Sequence, residues 1–119
     1  MGEHEILVGV VGPCGSGKST LIEGLETHGY EARHIAQEHS FVPAMWRKVT
    51  NPDVLIFLEV SYPATKRRKN FNWRINEYEE QLRRLQHAYK HADLRVKTDQ
   101  RSPEEILEEV LEYLKEFST

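Results

Sequence analysis

One cysteine, Cys14, stands among 119 residues. No intramolecular disulfide can form, and a zinc–thiolate cluster is excluded. Long apolar runs are also missing. The longest, Val54 to Leu58, is far too short to cross a bilayer. The N-terminus lacks a basic stretch followed by an apolar one, so no signal peptide is expected. Met1-Gly2 raises N-myristoylation, but Ile6 stands where that signal needs Ser or Thr. Strong charge of either sign is absent: the net charge is −3, which gives no bulk pull toward nucleic acid or membrane. No repeat, low-complexity tract or linker breaks the chain. The expectation is one cytoplasmic domain over residues 1–119, with no membrane partner.

What is present alternates. Glu5 to Gly12 is an apolar, β-branched run of the kind buried on both faces of a parallel sheet. Lys18 to Thr27 reads as a helix with Leu21, Ile22 and Leu25 on one face, ended at His28-Gly29. Glu31 to Ala36 reads as a second strand, and Gln37 to Pro52 as a mixed stretch with a short helix within 42–49. Asp53 to Val60 is the clearest further interior strand, and Pro63 suits a first helical turn. Trp73 to Ala92 reads as one long amphipathic helix with Ile75, Tyr78, Leu82, Leu85 and Tyr89 inward. Leu94 to Thr98 is a last strand. Ser102-Pro103-Glu104-Glu105 is a capping box opening a helix that turns Ile106, Leu107, Val110, Leu111 and Leu114 inward. The order β-α-β-α-β-α-α-β-α predicts an α/β fold: a short parallel sheet covered by helices.

The chemistry concentrates between the first strand and the first helix. Gly12-Pro13-Cys14-Gly15-Ser16-Gly17-Lys18-Ser19 meets the spacing G-x-x-x-x-G-K-[ST] in the right context, strand before and helix after. Glycines let successive backbone N–H groups turn inward as an anion nest, and the helix N-terminus adds partial positive charge. Lys18 is placed to reach β- and γ-phosphates and Ser19 to ligand Mg²⁺. Thr20 either contacts an α-phosphate oxygen or caps the first turn. Cys14 reads as loop filler rather than a redox switch. The implied ligand is a nucleoside triphosphate. The guanine-reading N-K-x-D pattern is absent, which favours ATP.

These residues resemble the P-loop kinases of the nucleoside monophosphate kinase and shikimate kinase type. The likeness rests on Val8 to Leu25, on Asp53 to Val60 followed by Lys66-Arg67-Arg68, and on His91 to Asp99 with Ser102 to Glu105. It implies a three-layer α/β/α P-loop NTPase fold, ATP and Mg²⁺ as cofactors, and phosphoryl transfer. It further implies that Arg67, Arg68 and Arg74 stack on adenine or clamp the transferring group, and that Asp99 to Pro103 edges the adenine pocket. Two departures stand out. The family's acceptor-binding segment and additional strand are replaced by the sixteen residues Gln37 to Pro52. Its paired aspartates after the second strand give way to Ala36-Gln37-Glu38-His39, where Glu38 aligns with the second. The sheet is therefore expected to have about four strands in the order 2-1-3-4.

Other groups carry weaker signals. Glu38 is a candidate ligand of a Mg²⁺-bound water or a general base, against the plain reading of an exposed loop carboxylate. Glu59 reads mainly as a structural acceptor. His34 and His39, with Gln37 and Ser40, are candidates to position an acceptor; metal binding by the two histidines is the lesser reading. His87 and His91, at i, i+4, read as a solvated helix face for want of a third ligand. The basic run Lys66-Arg67-Arg68-Lys69, near Phe71, Trp73 and Arg74, suits a phosphate-rich ligand ahead of a solvated helix end or a nucleic-acid backbone. The glutamate-rich last helix reads as a solvated face. The leading expectation is an ATP-dependent kinase with Lys18, Glu38, Arg67, Arg68 and Arg74 as its catalytic residues and Glu38 and Ser19 at the metal. The competing one is a nucleotide-binding switch or weak NTPase without a small acceptor. Exposed aromatics near Trp46 leave room for a homodimer.

Overall fold

A computed structural model describes residues 5–69 and 73–117. Four parallel strands run through it: β1 (Leu7–Val11), β2 (Glu31–His34), β3 (Val54–Glu59) and β4 (Leu94–Lys97), in the spatial order β2-β1-β3-β4. The expected 2-1-3-4 sheet is therefore present. Register is fixed by pairs such as Val8 with Ala32, Val10 with Ile56 and Leu58 with Val96. β1 and β3 are central, which explains their unbroken apolar sequences: a strand covered on both faces has no solvent side to make polar.

Aspartates pin the strand entrances. The Asp53 N–H donates to Leu7 O at 2.9 Å, and the Asp53 carboxylate accepts from Leu7 N–H at 2.7 Å. Asp93 repeats this on Leu55 one strand over, at 2.9 and 2.7 Å. Each side chain thus continues a ladder that the backbone alone would leave open.

Helices cover both faces. α1 (Lys18–Thr27) and α5 (Pro103–Phe117) pack on one, where Val8, Val10, Ile56 and Leu58 meet Leu21, Leu25, Val110 and Leu114. Each fully buried aliphatic side chain there contributes about 1.5–3 kcal/mol. On the other face Val11, Leu55 and Phe57 meet Ile35, Trp46, Leu85 and Ala88. Ile35 follows β2, Leu85 joins α3 (Ile75–Arg84) to α4 (Gln86–His91), which carries Ala88, and Trp46 comes from the middle segment, which holds a 3₁₀ turn, Gln37–His39, and a wide π turn, Trp46–Thr50. α2 (Tyr62–Lys69) follows β3 directly.

The stretch expected as one helix over 73–92 is two. The break falls at Leu85, whose N–H is shared between Gln81 O at 3.0 Å and Leu82 O at 3.2 Å, tightening the turn. The inward face also differs. Gln81, Leu85 and Ala88 are buried, whereas Ile75, Leu82 and Tyr89 are exposed. A polar Gln81 lies inward because its carboxamide is used by the loop after β1. Trp46 is itself buried, and the exposed aromatic of that segment is Phe41, with the Arg84 guanidinium 4.2 Å from its ring centroid. Phe71 lies outside the described residues, and Trp73 is buried with its indole N–H donating to Thr65 Oγ1 at 2.9 Å. Among the described residues no helix is long and apolar enough to cross a membrane.

Candidate functional site

The carboxyl ends of parallel strands collect loops and helix N-termini, and ligands gather there. Here the turn from β1 into α1 forms one wall of a cavity of about 650 Å³. Residues 14–20 of the glycine-rich loop, His34, Glu38, His39, Arg68 and Arg101 line it. Two glycines are structurally required. A Cβ on Gly12 would lie 2.6 Å from Leu58 O and 2.8 Å from Ser16 Oγ, so the loop passes against β3 only because that atom is missing. Gly17 meets nothing, but its φ of +98° is left-handed, and it makes the corner into α1. No side chain caps α1, and its first turn carries no acid. Its partial positive end is left to whatever occupies the cavity.

Lys18 and Glu38 meet inside this wall. The ammonium donates to Glu38 Oε2 at 2.9 Å, to Gly12 O at 2.6 Å and to Pro13 O at 3.2 Å. Both side chains are buried. Glu38 is thus a buried ion-pair partner, and the exposed-carboxylate reading is overturned: the 3₁₀ turn after β2 aims it back over β1. Its second oxygen, Oε1, is buried without a hydrogen-bond partner, as is Ser16 Oγ. Unpartnered buried oxygens are costly and mark places where a cation or donor fits.

Ser19 and Thr20 stand exposed on the first turn of α1, and neither side chain caps it. Of the three arginines, Arg68 enters the cavity. Its guanidinium donates to Gly15 O at 3.1 Å and to Thr98 Oγ1 at 2.9 Å, tying α2 and the end of β4 to the loop. Arg67 does not line this cavity; its charge is felt at Asp99. The Asp99 carboxyl is held below its usual range first by hydrogen bonding from Ser61, with Arg68 and Arg67 adding to the effect. Arg74 is exposed at the start of α3, where its backbone N–H donates to Glu77 Oε1 at 3.1 Å, also outside the cavity lining. From the segment 99–103, Arg101 and Pro103 do line it.

His34 and His39 both border the cavity. Burial pushes the His34 imidazole below its ordinary value, Lys18 and His39 lower it further, and Glu38 opposes them. His87 and His91 have a packing role. Their rings stack at 4.2 Å, and His87 Nδ1 accepts the Trp46 indole N–H at 3.0 Å. Glu59 borders a second cavity of about 660 Å³, between Phe57, Tyr78 and Tyr89, instead of the first.

Two residues of the site have no motif to announce them. Gln81 accepts from Cys14 N–H at 2.9 Å and donates to its sulfur at 3.2 Å. Thr98 holds Arg68. The spacing Gln81-Leu85-Ala88 is a helical stripe with one polar member, and it was the available signal for Gln81. Chemically, the assembly offers the uncapped N-terminus of α1, a buried ammonium, a guanidinium and a carboxylate with an unpartnered oxygen, which suits a polyanion carrying a divalent cation. No protein-family model matches the chain, and no curated protein matches it significantly.

Proposed function

We propose that the chain binds MgATP in a P-loop NTPase fold and acts as a kinase-type phosphotransferase that moves the γ-phosphoryl group to a small acceptor. The observation that carries the reading is the glycine-rich turn wrapped around the uncapped N-terminus of α1, with Lys18 and Arg68 facing one cavity. Backbone N–H groups at the start of α1, from Gly17 to Thr20, and the Lys18 ammonium would hold the phosphates. The Ser19 hydroxyl and the Glu38 carboxylate, with its unpartnered oxygen, fit Mg²⁺ or a water on it. The bound ion would neutralise phosphate charge. Arg68 is the clamp of the transferring group, preorganised by Thr98 and Gly15. Arg67 and Arg74 take part only if the neighbouring segments close over the ligand. Arg101 and Pro103, which also line the cavity, would edge the adenine.

A second reading has its own support. β2 pairs directly with β1, and the middle segment contributes only a 3₁₀ turn and a π turn among the described residues. No further strand builds an acceptor wall there, which favours a nucleotide-binding switch or weak NTPase. A panel of metabolite acceptors separates the two. The kinase reading expects one acceptor to raise ADP release manyfold over water. ATP binding with no acceleration by any acceptor transfers the case to the switch.

A further inference from the structure

We infer that Cys14, Glu38 and His39 form a site for a thiophilic divalent cation, with zinc as its reference ion. One ligand atom from each lies within 4.8 Å of the other two. Cys14 Sγ is 3.7 Å from His39 Nε2, and His39 Nε2 is 3.8 Å from Glu38 Oε2. Zinc bonds to sulfur, nitrogen and oxygen at tetrahedral angles place such atoms about 3.3–3.6 Å apart. The two edges at His39 exceed that by a few tenths of an ångström and the third, from Cys14 to Glu38, lies within 4.8 Å, so closing on one ion takes rotation of the exposed His39 ring and a shift of the Cys14 side chain.

The carboxylate supplies a second, independent sign. Glu38 is 2 % exposed, and its Oε1 has no hydrogen-bond partner. The carboxylate thus keeps one unspent acceptor oxygen, while its other oxygen, Oε2, faces His39 and is shared with the Lys18 ammonium at 2.9 Å. The elements that carry the ligands are held from outside the trio. The Gln37 side chain accepts from Trp46 N–H at 2.9 Å and donates to Val42 O at 2.9 Å, fixing the 3₁₀ turn. Gln81 fixes Cys14. The Lys18 ammonium opposes a cation, yet thiolate and carboxylate together outweigh its single charge. Sulfur and imidazole select zinc-like ions over Mg²⁺. Three protein ligands leave a fourth position open toward the cavity. This is a mixed site with one thiolate, distinct from the multi-cysteine cluster that the composition forbids. It shares Glu38 and one cavity with the proposed Mg²⁺ position, so the two ions compete for that carboxylate, and it is tested on the nucleotide-free chain, where its failure leaves the nucleotide reading untouched.

Cobalt titration of the metal-free protein tests it, since Co²⁺ reports both geometry and thiolate ligation. One equivalent is expected to give tetrahedral visible bands and a near-ultraviolet thiolate charge-transfer band, both displaced by Zn²⁺. Cys14→Ser is expected to abolish the charge-transfer band. Loss of an outer-shell partner weakens metal binding roughly 10- to 100-fold, so the loss of an inner ligand in His39→Ala should weaken zinc at least that much. His91→Ala, on the stacked His87–His91 pair, is expected to leave zinc affinity unchanged. Absence of stoichiometric binding, a charge-transfer band that survives Cys14→Ser, or zinc affinity that follows His91 instead of His39 would overturn the site. His39 is exposed, so its variant stays informative even if Cys14→Ser folds poorly.

Discussion

Lys18 Nζ and Glu38 Oε2 stand 2.9 Å apart with both side chains buried, joining the glycine-rich loop to the turn after β2. A pair of this kind gains little over an apolar pair, but losing one member strands a charge. Glu38→Gln should therefore lower unfolding stability by about 3 kcal/mol, the low end for a broken buried pair because it borders a cavity. Adding Lys18→Met should restore part of that loss. Urea denaturation of both singles and the double gives the coupling; additive losses would show that the two charges do not interact.

Gly12 and Gly17 are required for different reasons, and substitution should separate them. Gly12→Ala forces a methyl to 2.6 Å from Leu58 O, overpacking that costs about 1–3 kcal/mol, in addition to any cost of its backbone angle. Gly17→Ala meets open space and bears only a left-handed residue, about 1–2 kcal/mol. Thermal denaturation should rank Gly12→Ala as the more damaging. The reverse order would mean that the loop does not press on β3.

The strand order, the loop and the first helix were legible because local signals and long-range packing agree there. Val8, Val10 and Val54 to Leu58 are apolar on both faces because two helical layers cover them. The helix after Trp73 was misread because its apolar residues, Ile75, Leu82 and Tyr89, form a regular stripe that the fold leaves exposed. Gln81 turns inward because Cys14 N–H needs an acceptor, a demand set by a residue 67 positions away. The burial of Glu38 was hidden for the same reason: its partner is Lys18, on another element. Arg68 and Arg67 are adjacent in sequence, and only the direction of α2 puts one in the cavity.

Acidification should weaken the fold through His87. Its pKa is lowered first by burial, then by His91, Arg47 and Lys90. Because the folded value lies below the unfolded one, near 6.5, the unfolded chain takes up the proton first. Stability is full above about pH 6.5 and is lost as pH falls through the folded value. His34, also lowered, acts in the same direction. The depressed carboxyls of Glu80, Asp99 and Glu105 matter only in a lower window. Protonated His87 no longer accepts from Trp46, so Trp46 emission should change over the same range. A His87→Gln variant should flatten the near-neutral slope; an unchanged slope would remove His87 as its source.

Arg68→Lys should fail to replace arginine. The guanidinium reaches Gly15 O and Thr98 Oγ1 from one nitrogen and the Thr98 carbonyl from the other, a fork an ammonium lacks. Nucleotide affinity, measured by calorimetry, is expected to fall for Arg68→Lys nearly as far as for Arg68→Ala, while Arg74→Ala leaves it near wild type. Equal losses at Arg68 and Arg74 would mean that the cavity does not select between them.

MgATP titration of the wild-type chain against Lys18→Ala, each checked for folding by circular dichroism, bears on nucleotide binding most directly. Saturable one-to-one binding is expected for the wild type. Loss of a charge-assisted contact of about 1.5–3 kcal/mol should weaken Lys18→Ala by roughly 10- to 150-fold. No binding by the wild type, or equal affinity in a folded Lys18→Ala variant, would contradict a phosphate-binding role for the loop from Gly12 to Ser19.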